Sequence, residues 1–297
     1  MSTLYLVATP IGNLEDISLR ALRVLGEVPV LACEDTRRTG VLLQRHSIRR
    51  PGICFSHHEH NEPRAAAQIL GHLDAGRDVA ICSNAGYPSL SDPGYAAVSL
   101  ALAAGHRVEA IPGASAIPVA LLVSGLPTSS YTFKGFLPRK SGRRCAALAQ
   151  ERDLPHTLVL YESPFRVGRL LTEALGVLGD RQAAVCLELT KQFERVHRGW
   201  LTDLVQEFAG LRVKGEAVVV IAGNHPKFCR AAPASARTSA NDNDNHNDND
   251  NDNDNDNDSD NDSDNDSDND SDNDGDSEND SDKEVSASSG PVAAVGE

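Results

Sequence analysis

Several common organising features are absent from this 297-residue sequence. Its six cysteines, Cys33, Cys54, Cys82, Cys145, Cys186 and Cys229, are dispersed, with no C-x-x-C and no paired spacing. Several lie in apolar strand-like runs, where a free thiol acts as a small hydrophobe. A disulfide framework is therefore not expected, and a reducing, cytoplasmic setting is. No apolar run approaches the roughly 18 residues of a membrane span, so no membrane partner is expected. No basic segment followed by an apolar one opens the chain, and Pro10 interrupts early, so no signal peptide is expected. G-x-x-x-x-G-K-[ST], G-x-S-x-G and H-E-x-x-H are missing, and no G-x-G-x-x-G follows the first apolar run. The first absence excludes a P-loop nucleotide site.

What is present divides sharply by composition. Residues before 241 carry 27 Lys plus Arg and 21 Asp plus Glu, a net of +6. Residues from 241 onward carry 1 Lys and 22 Asp plus Glu, a net of −21. The acidity of the whole chain is thus a property of its tail. The Asn-Asp and Ser-Asp alternation from Asn241 to Asp282 has no apolar surface to bury and is expected to be disordered. The mildly basic body is compatible with a polyanionic partner.

Within the body, short apolar runs alternate with helical patterns. Strands are expected at Leu4–Ala8, Val28–Cys33, Gly52–Phe55, Val79–Cys82 and Arg107–Ile111, with helices between them, which argues for a mostly parallel sheet. After a linker at Gly125–Ser130, strands are expected at Tyr131–Phe136, Thr157–Tyr161, Ala183–Leu189 and Ala217–Ile221, in a smaller α/β unit with a mixed sheet. The domains are drawn at 1–127, 128–226 and 227–297.

The first five strands end in loops rich in turn-formers. They are Thr9-Pro10-Ile11-Gly12-Asn13, Glu34-Asp35-Thr36-Arg37, His57-His58-Glu59-His60-Asn61-Glu62, Ser83 to Gly94, and Pro112-Gly113-Ala114-Ser115. Open α/β sheets bind small ligands at such carboxyl ends. Glu34-Asp35 is a carboxylate pair at a strand end: either Asp35 caps a helix, or the pair orients or deprotonates a substrate hydroxyl. His58 and His60 have no third and fourth ligand beside them, so no metal is expected. Arg139, Lys140, Arg143 and Arg144 gather four positive charges on an expected loop, either solvated or in contact with phosphates.

Taken together, Thr9–Leu14, Glu34–Arg37, His58–Glu62, Ser83–Pro88, Ser91–Tyr95 and Pro112-Gly113 resemble the tetrapyrrole-methylase superfamily and, within it, an RNA-acting branch. Tyr161-Glu162-Ser163, Glu188-Leu189-Thr190-Lys191 and Lys214-Gly215-Glu216 extend the resemblance to about Asn224. The resemblance implies two α/β domains with a cleft between them for S-adenosylmethionine, and a homodimer. It implies 2′-O-methylation of a cytidine in the decoding centre of 16S rRNA in the small ribosomal subunit. It places Pro10, Ile11, Gly12, Asn84, Ala85, Gly86, Pro88, Asp92, Ser115, Ala116 and Tyr161 around the cofactor. Asp35, His58 and Glu62 are candidates to accept the hydroxyl proton, and Arg37, Arg139, Lys140, Arg143 and Arg144 to hold RNA. Where the superfamily usually has Asp-Ala-Gly-Thr-Pro, this chain has Asn84-Ala85-Gly86-Tyr87-Pro88. The usual C-terminal helical extension has no counterpart after Asn224, where the acidic tract follows. A tetrapyrrole methyltransferase and a catalytically silent RNA-binding homologue are the alternative readings.

The tail generates a test. A tethered chain of net −21 competes with RNA for a body of net +6. Deleting residues 241–297 is expected to leave the fold and cofactor affinity intact and to raise RNA affinity at low salt. That gain should shrink as salt screens both polyanions. RNA binding of full-length and truncated protein across a salt series measures it; equal affinity throughout would make the tail inert toward RNA.

Overall fold

The computed structural model describes residues 2–211 and 215–230. The tail and Lys214, on which expectations above rest, lie outside the described residues.

The first half alternates strand and helix: β1 (Thr3–Val7), α1 (Leu19–Glu27), β2 (Val30–Cys33), α2 (Thr36–Arg45), β3 (Ile53–Ser56), α3 (Glu62–Asp74), β4 (Val79–Cys82), α4 (Tyr95–Ala103), β5 (Arg107–Ile111) and α5 (Ala116–Ser124). All five strands are parallel, in the order β3-β2-β4-β1-β5. The inner strands β2 and β4, buried along their whole length, read as continuous apolar runs. Val7, Leu31, Cys33, Ala80 and Cys82 pack against Ala21, Val24 and Leu25 of α1 and Leu42 and Leu43 of α2. Leu4, Val30, Ala32, Val79 and Ile81 pack against Ala66, Ile69 and Leu73 of α3 and Ala97 and Ala101 of α4. Helix starts follow local chemistry: Ser18 Oγ accepts from Ala21 N at 3.2 Å, and Pro63 occupies the first turn of α3.

The second half contains β6 (Tyr131–Phe136), α6 (Ser141–Ala149), β7 (Thr157–Glu162), α7 (Val167–Leu178), β8 (Asp180–Leu187), β9 (Arg195–Trp200), α8 (Leu201–Glu207), β10 (Ala217–Ile221) and β11 (Cys229–Arg230). Its sheet runs β11-β8-β10-β7-β6, with β9 also paired to β8. Only β6 and β7 are parallel; the other pairings are antiparallel, so the sheet is mixed. The period-2 alternation of β10 sends Ala217, Val219 and Ile221 into the core under α7. Val218 and Val220 go to the opposite face.

That opposite face is covered by α5. The helix follows the last strand of the first sheet, yet Ile117, Ala120 and Leu121 pack with Val159, Ala184, Cys186 and Val218 of the second. Ile11, from the loop after β1, enters the same core. Gly125, at φ +75°, ends α5 in the left-handed conformation and turns the chain toward β6.

Sequence reasoning missed β9 and the short β11 and set the start of β8 too late. β9 is charged and half exposed because it pairs on one side only, so it lacks an apolar signature. β8 begins at Asp180, three residues before the expected start, because Asp180 and Arg181 are buried charges. Arg181 satisfies itself on the carbonyls of Leu178, Ala222 and Arg152.

The four basic residues expected on one loop are also corrected. α6 begins at Ser141, so Arg143 and Arg144 are helical. Arg144 is 2 % exposed and pairs through Nε and Nη2 with Glu173 of α7, the latter contact at 2.7 Å. Its Nη1 donates to the carbonyls of Pro138 at 3.1 Å and Arg139 at 2.8 Å. Arg144 therefore cannot reach RNA; it holds the loop that carries Arg139 and Lys140. Removing one member of a buried pair leaves the other charge uncompensated, so Arg144→Met is expected to cost about 3 kcal/mol. Exposed Arg143→Ala should stay within about 0.5 kcal/mol. Urea unfolding checks both; equal effects would contradict the burial.

Candidate active site

The loops after β1, β4 and β5 converge at the carboxyl end of the first sheet. Thr9 and Gly86 exchange two backbone hydrogen bonds, Thr9 N to Gly86 O at 2.8 Å and Gly86 N to Thr9 O at 3.0 Å. Gly86 has φ +77°, a conformation that disfavours any side chain. A Cβ at Gly113 would lie 3.0 Å from that of Ala8, so the β5 loop lies directly against β1. Tyr87 accepts from Gly113 N at 3.1 Å and ties the β4 and β5 loops together. Tyr87 thus supports the loops through a cross-loop hydrogen bond.

These loops and the second sheet enclose a cavity of about 390 Å³. The first half contributes Ile11, Ala85, Gly86, Tyr87, Asp92, Ser115 and Ala116; the second contributes Phe136, Tyr161, Glu162, Ser163, Gly215 and Glu216. Seven of the residues assigned to the cofactor by resemblance, Ile11, Ala85, Gly86, Asp92, Ser115, Ala116 and Tyr161, line it together. Pro88 is buried in the same loop. Pro10 and Asn84 line a separate cavity, and Gly12 a third depression beside Thr190 and Lys191. Gly12 serves contact between the halves: a Cβ there would lie 2.5 Å from Lys191 Cγ and 2.7 Å from Thr190 Oγ1.

Electrostatically the cavity is acidic. Burial, then the nearby Glu34 carboxylate, pushes the Asp92 carboxyl up to about 6. Glu34 is itself fixed, accepting from Asn84 N at 2.9 Å. Glu162 is 3 % exposed, accepts from Ser163 N at 2.7 Å and pairs with Arg166 at 2.5 Å. Glu216 shares Lys191 with Glu188, at 3.1 and 2.9 Å. Tyr161 packs edge-on against Phe133 and Phe136, with centroids 4.8 and 5.6 Å apart. Burial, followed by Asp92 and Glu216, pushes its hydroxyl up to about 12. Unlike Glu162 and Glu216, Asp92 has no ion-pair partner among the described residues.

The three candidate proton acceptors lie outside this cavity. Asp35 caps α2, accepting from Arg37 N at 2.8 Å and Arg38 N at 3.3 Å; those N–H groups hold its pKa below the usual range and weaken it as a base. Glu62 Oε1 accepts from Gly94 N at 2.9 Å and Ala96 N at 3.4 Å, fixing the start of α4. His58 Nδ1 is buried without a partner. Its neighbour His57 is 2 % exposed, and burial lowers its pKa. Sequence reasoning missed Phe136, Glu162 and Glu216 as cavity residues and read Glu34 only as one of a carboxylate pair with Asp35. The strand-end position of Glu34 was the only signal for it. Arg37, Arg139, Lys140 and Arg143 are exposed. No group of three or more His, Cys, Asp or Glu that could hold a metal occurs among the described residues.

Two joined α/β halves with a ligand cavity at the strand ends define a class of small-molecule-dependent enzyme, and comparison with known proteins identifies it. The model of the Tetrapyrrole (Corrin/Porphyrin) Methylases matches residues 3–205. A protein of Halalkalibacterium halodurans named ribosomal RNA small subunit methyltransferase I is 44 % identical over 225 residues, 76 % of this chain and 77 % of its own. One of the same name from Mesorhizobium japonicum is 47 % identical over 222 residues, covering 73 % and 74 %. In fold, the chain is similar to uroporphyrin-III C-methyltransferase from Thermus thermophilus, solved in complex with S-adenyl homocysteine, at a TM-score of 0.54 and 22 % identity, covering 75 % and 97 %. The chain belongs to the tetrapyrrole methylase family and, within it, to the ribosomal RNA small subunit methyltransferase I proteins.

Asp92 yields a prediction about stability. The folded carboxyl keeps its proton up to about pH 6, against an ordinary value of 3.8. A fold that binds the extra proton is favoured at low pH, so this contribution is full below pH 4 and falls as pH rises toward 6. Asp92→Asn should remove that dependence, raising stability above pH 6 by about 1 kcal/mol once partial exposure is discounted. Melting temperatures of both proteins from pH 4 to 7 check this; parallel curves would place Asp92 in water.

Proposed function

We infer that this protein transfers a methyl group from S-adenosylmethionine to the ribose 2′-hydroxyl of a cytidine in the decoding centre of 16S rRNA. The observation that carries the reading is the cavity between the halves, in which residues expected from the resemblance meet around an unpaired carboxylate. The fit is chemical. S-adenosylmethionine, when bound, supplies a methyl group on a sulfonium cation. Asp92 and Glu34 give the cavity a negative field suited to a cation. Tyr161 and Phe136 give it aromatic edges, and Ala85, Gly86 and Ser115 allow close backbone approach.

Displacement at a methyl carbon depends above all on alignment, so the chain's main task is to fix two reactants in line. The Thr9–Gly86 bridge, the Tyr87 tie and the α5 core make the loops rigid enough for that. The hydroxyl proton must also leave. Asp35 and Glu62 are engaged with backbone N–H groups. Asp92 faces the cavity with a pKa near 6, close to neutrality, as a general base requires. We assign the proton to an Asp92 carboxylate oxygen. Arg37, Arg139, Lys140 and Arg143 supply exposed charge for RNA phosphates. The protein acts as a cytoplasmic homodimer in this reading. α4 and α5 are almost wholly apolar and leave Tyr95, Leu102 and Leu122 at 76 %, 59 % and 75 % exposure. Among the described residues, no helix is long and apolar enough to cross a membrane.

The test is methyl transfer from labelled cofactor to small subunits purified from a strain lacking this gene. Wild type should label a ribose, with a rate that rises as pH passes through about 6. Asp92→Asn should lose about a hundredfold and that pH dependence. A silent homologue would bind no cofactor by calorimetry. Replacing Arg139, Lys140 and Arg143 together by Ala should weaken RNA binding and lower its salt slope by roughly 2 to 3 while sparing cofactor affinity; an unchanged slope would leave these residues merely solvated.

A further inference from the structure

A second cavity, of about 250 Å³, adjoins the first. The two divide the same loops between them. Thr9, Pro10, Ser83 and Asn84 face the second, while Ile11, Ala85 and Gly86 face the first. Leu14, Val41 and Leu42 give the second cavity aliphatic walls, and Arg38, whose side chain is exposed, stands at it. Val41 is 60 % exposed, an apolar surface open to a ligand. Asn84 Oδ1 is buried and has no hydrogen-bond partner among the described residues, whereas its backbone N–H is held by Glu34. A buried acceptor left unpaired costs roughly 1 to 3 kcal/mol, a cost that an arriving donor removes. Thr9 Oγ1 donates to Ser83 O at 3.2 Å; among the described residues that line this cavity, the buried side-chain polar atom left without a partner is Asn84 Oδ1.

Aliphatic walls, one unpaired acceptor and one exposed guanidinium together match a nucleotide. A base stacks on side chains, its edge is read by hydrogen bonds, and arginine takes the phosphate. We propose that the second cavity receives the base of the acceptor nucleotide, and that Asn84 selects a base presenting an exocyclic amino group. The proposal rests on the RNA-methyltransferase reading and adds a specificity residue to it. The placement also separates Asn84 from cofactor binding, where the resemblance put it. The two cavities are lined by adjacent residues of the same loops, Pro10 and Ile11 after β1 and Asn84 and Ala85 after β4.

The experiment measures cofactor affinity by calorimetry, and kcat and KM for the same small subunits, with full-length wild type, Asn84→Leu, Asn84→Asp and Val41→Asp. Asn84→Leu fills the cavity and removes the acceptor, so KM should rise at least about tenfold while the cofactor Kd stays within roughly twofold. Asn84→Asp keeps an acceptor oxygen and should recover most of that loss. Val41→Asp, at an exposed position that does not endanger folding, should also raise KM. The methylated nucleotide, mapped by nuclease digestion, should carry an amino group. Unchanged KM in both Asn84→Leu and Val41→Asp would overturn the proposal. So would a cofactor Kd that rises in step with KM, since the cavity would then belong to the cofactor, or a uridine target. Absence of transfer by wild type would overturn the underlying reading as well, and so is distinguishable from failure of this proposal alone.

Discussion

The structure depends on one packing arrangement: α5, apolar on every side, leaves the first sheet and buries itself against the second. Ile117, Ala120 and Leu121 share a core with Val159, Ala184, Cys186 and Val218, and Ile11 joins them from the loop after β1. A close-packed interior resists small displacements. The walls of the main cavity, contributed by both halves, are therefore fixed by a hydrophobic core rather than by the polar contacts at its rim. Gly12 lies in the same region; its lack of a Cβ lets Thr190 and Lys191 approach.

On this frame the charges are arranged unequally. Glu162 and Glu216 are neutralised by Arg166 and Lys191. Asp92 and Glu34 are not paired with a cation among the described residues, and burial together with Glu34 raises the cost of ionising Asp92. A carboxylate left in that state inside a cavity marks functional chemistry more often than structure. Two of the three candidates that sequence reasoning offered, Asp35 and Glu62, turn out to hold helix starts, which is the commoner fate of an acidic residue before a helix.

Tyr87 and Asn84 show how a departure from a family pattern acquires meaning from its surroundings. Tyr87 bridges two loops through Gly113 N. Asn84 lines a different cavity from its neighbours Ala85 and Gly86, because the chain bends at Asn84 and Ala85 instead of running on as a strand.

The sequence alone determined the alternation of strands and helices, since buried parallel strands are continuous apolar runs and period-2 and period-3.6 patterns are local. It located the loops at strand ends, because their glycines and prolines are local signals too, and through resemblance it selected seven residues that share the cavity. It misjudged β9 and the start of β8, where an exposed edge and buried charges mask the apolar pattern. It also misjudged Arg144, whose burial depends on Glu173 in a different helix. The association of α5 with the second sheet, the division of the loops between two cavities and the unpaired state of Asp92 were decided only by the tertiary structure. Each depends on groups far apart in the chain, and no local periodicity records which of them meet.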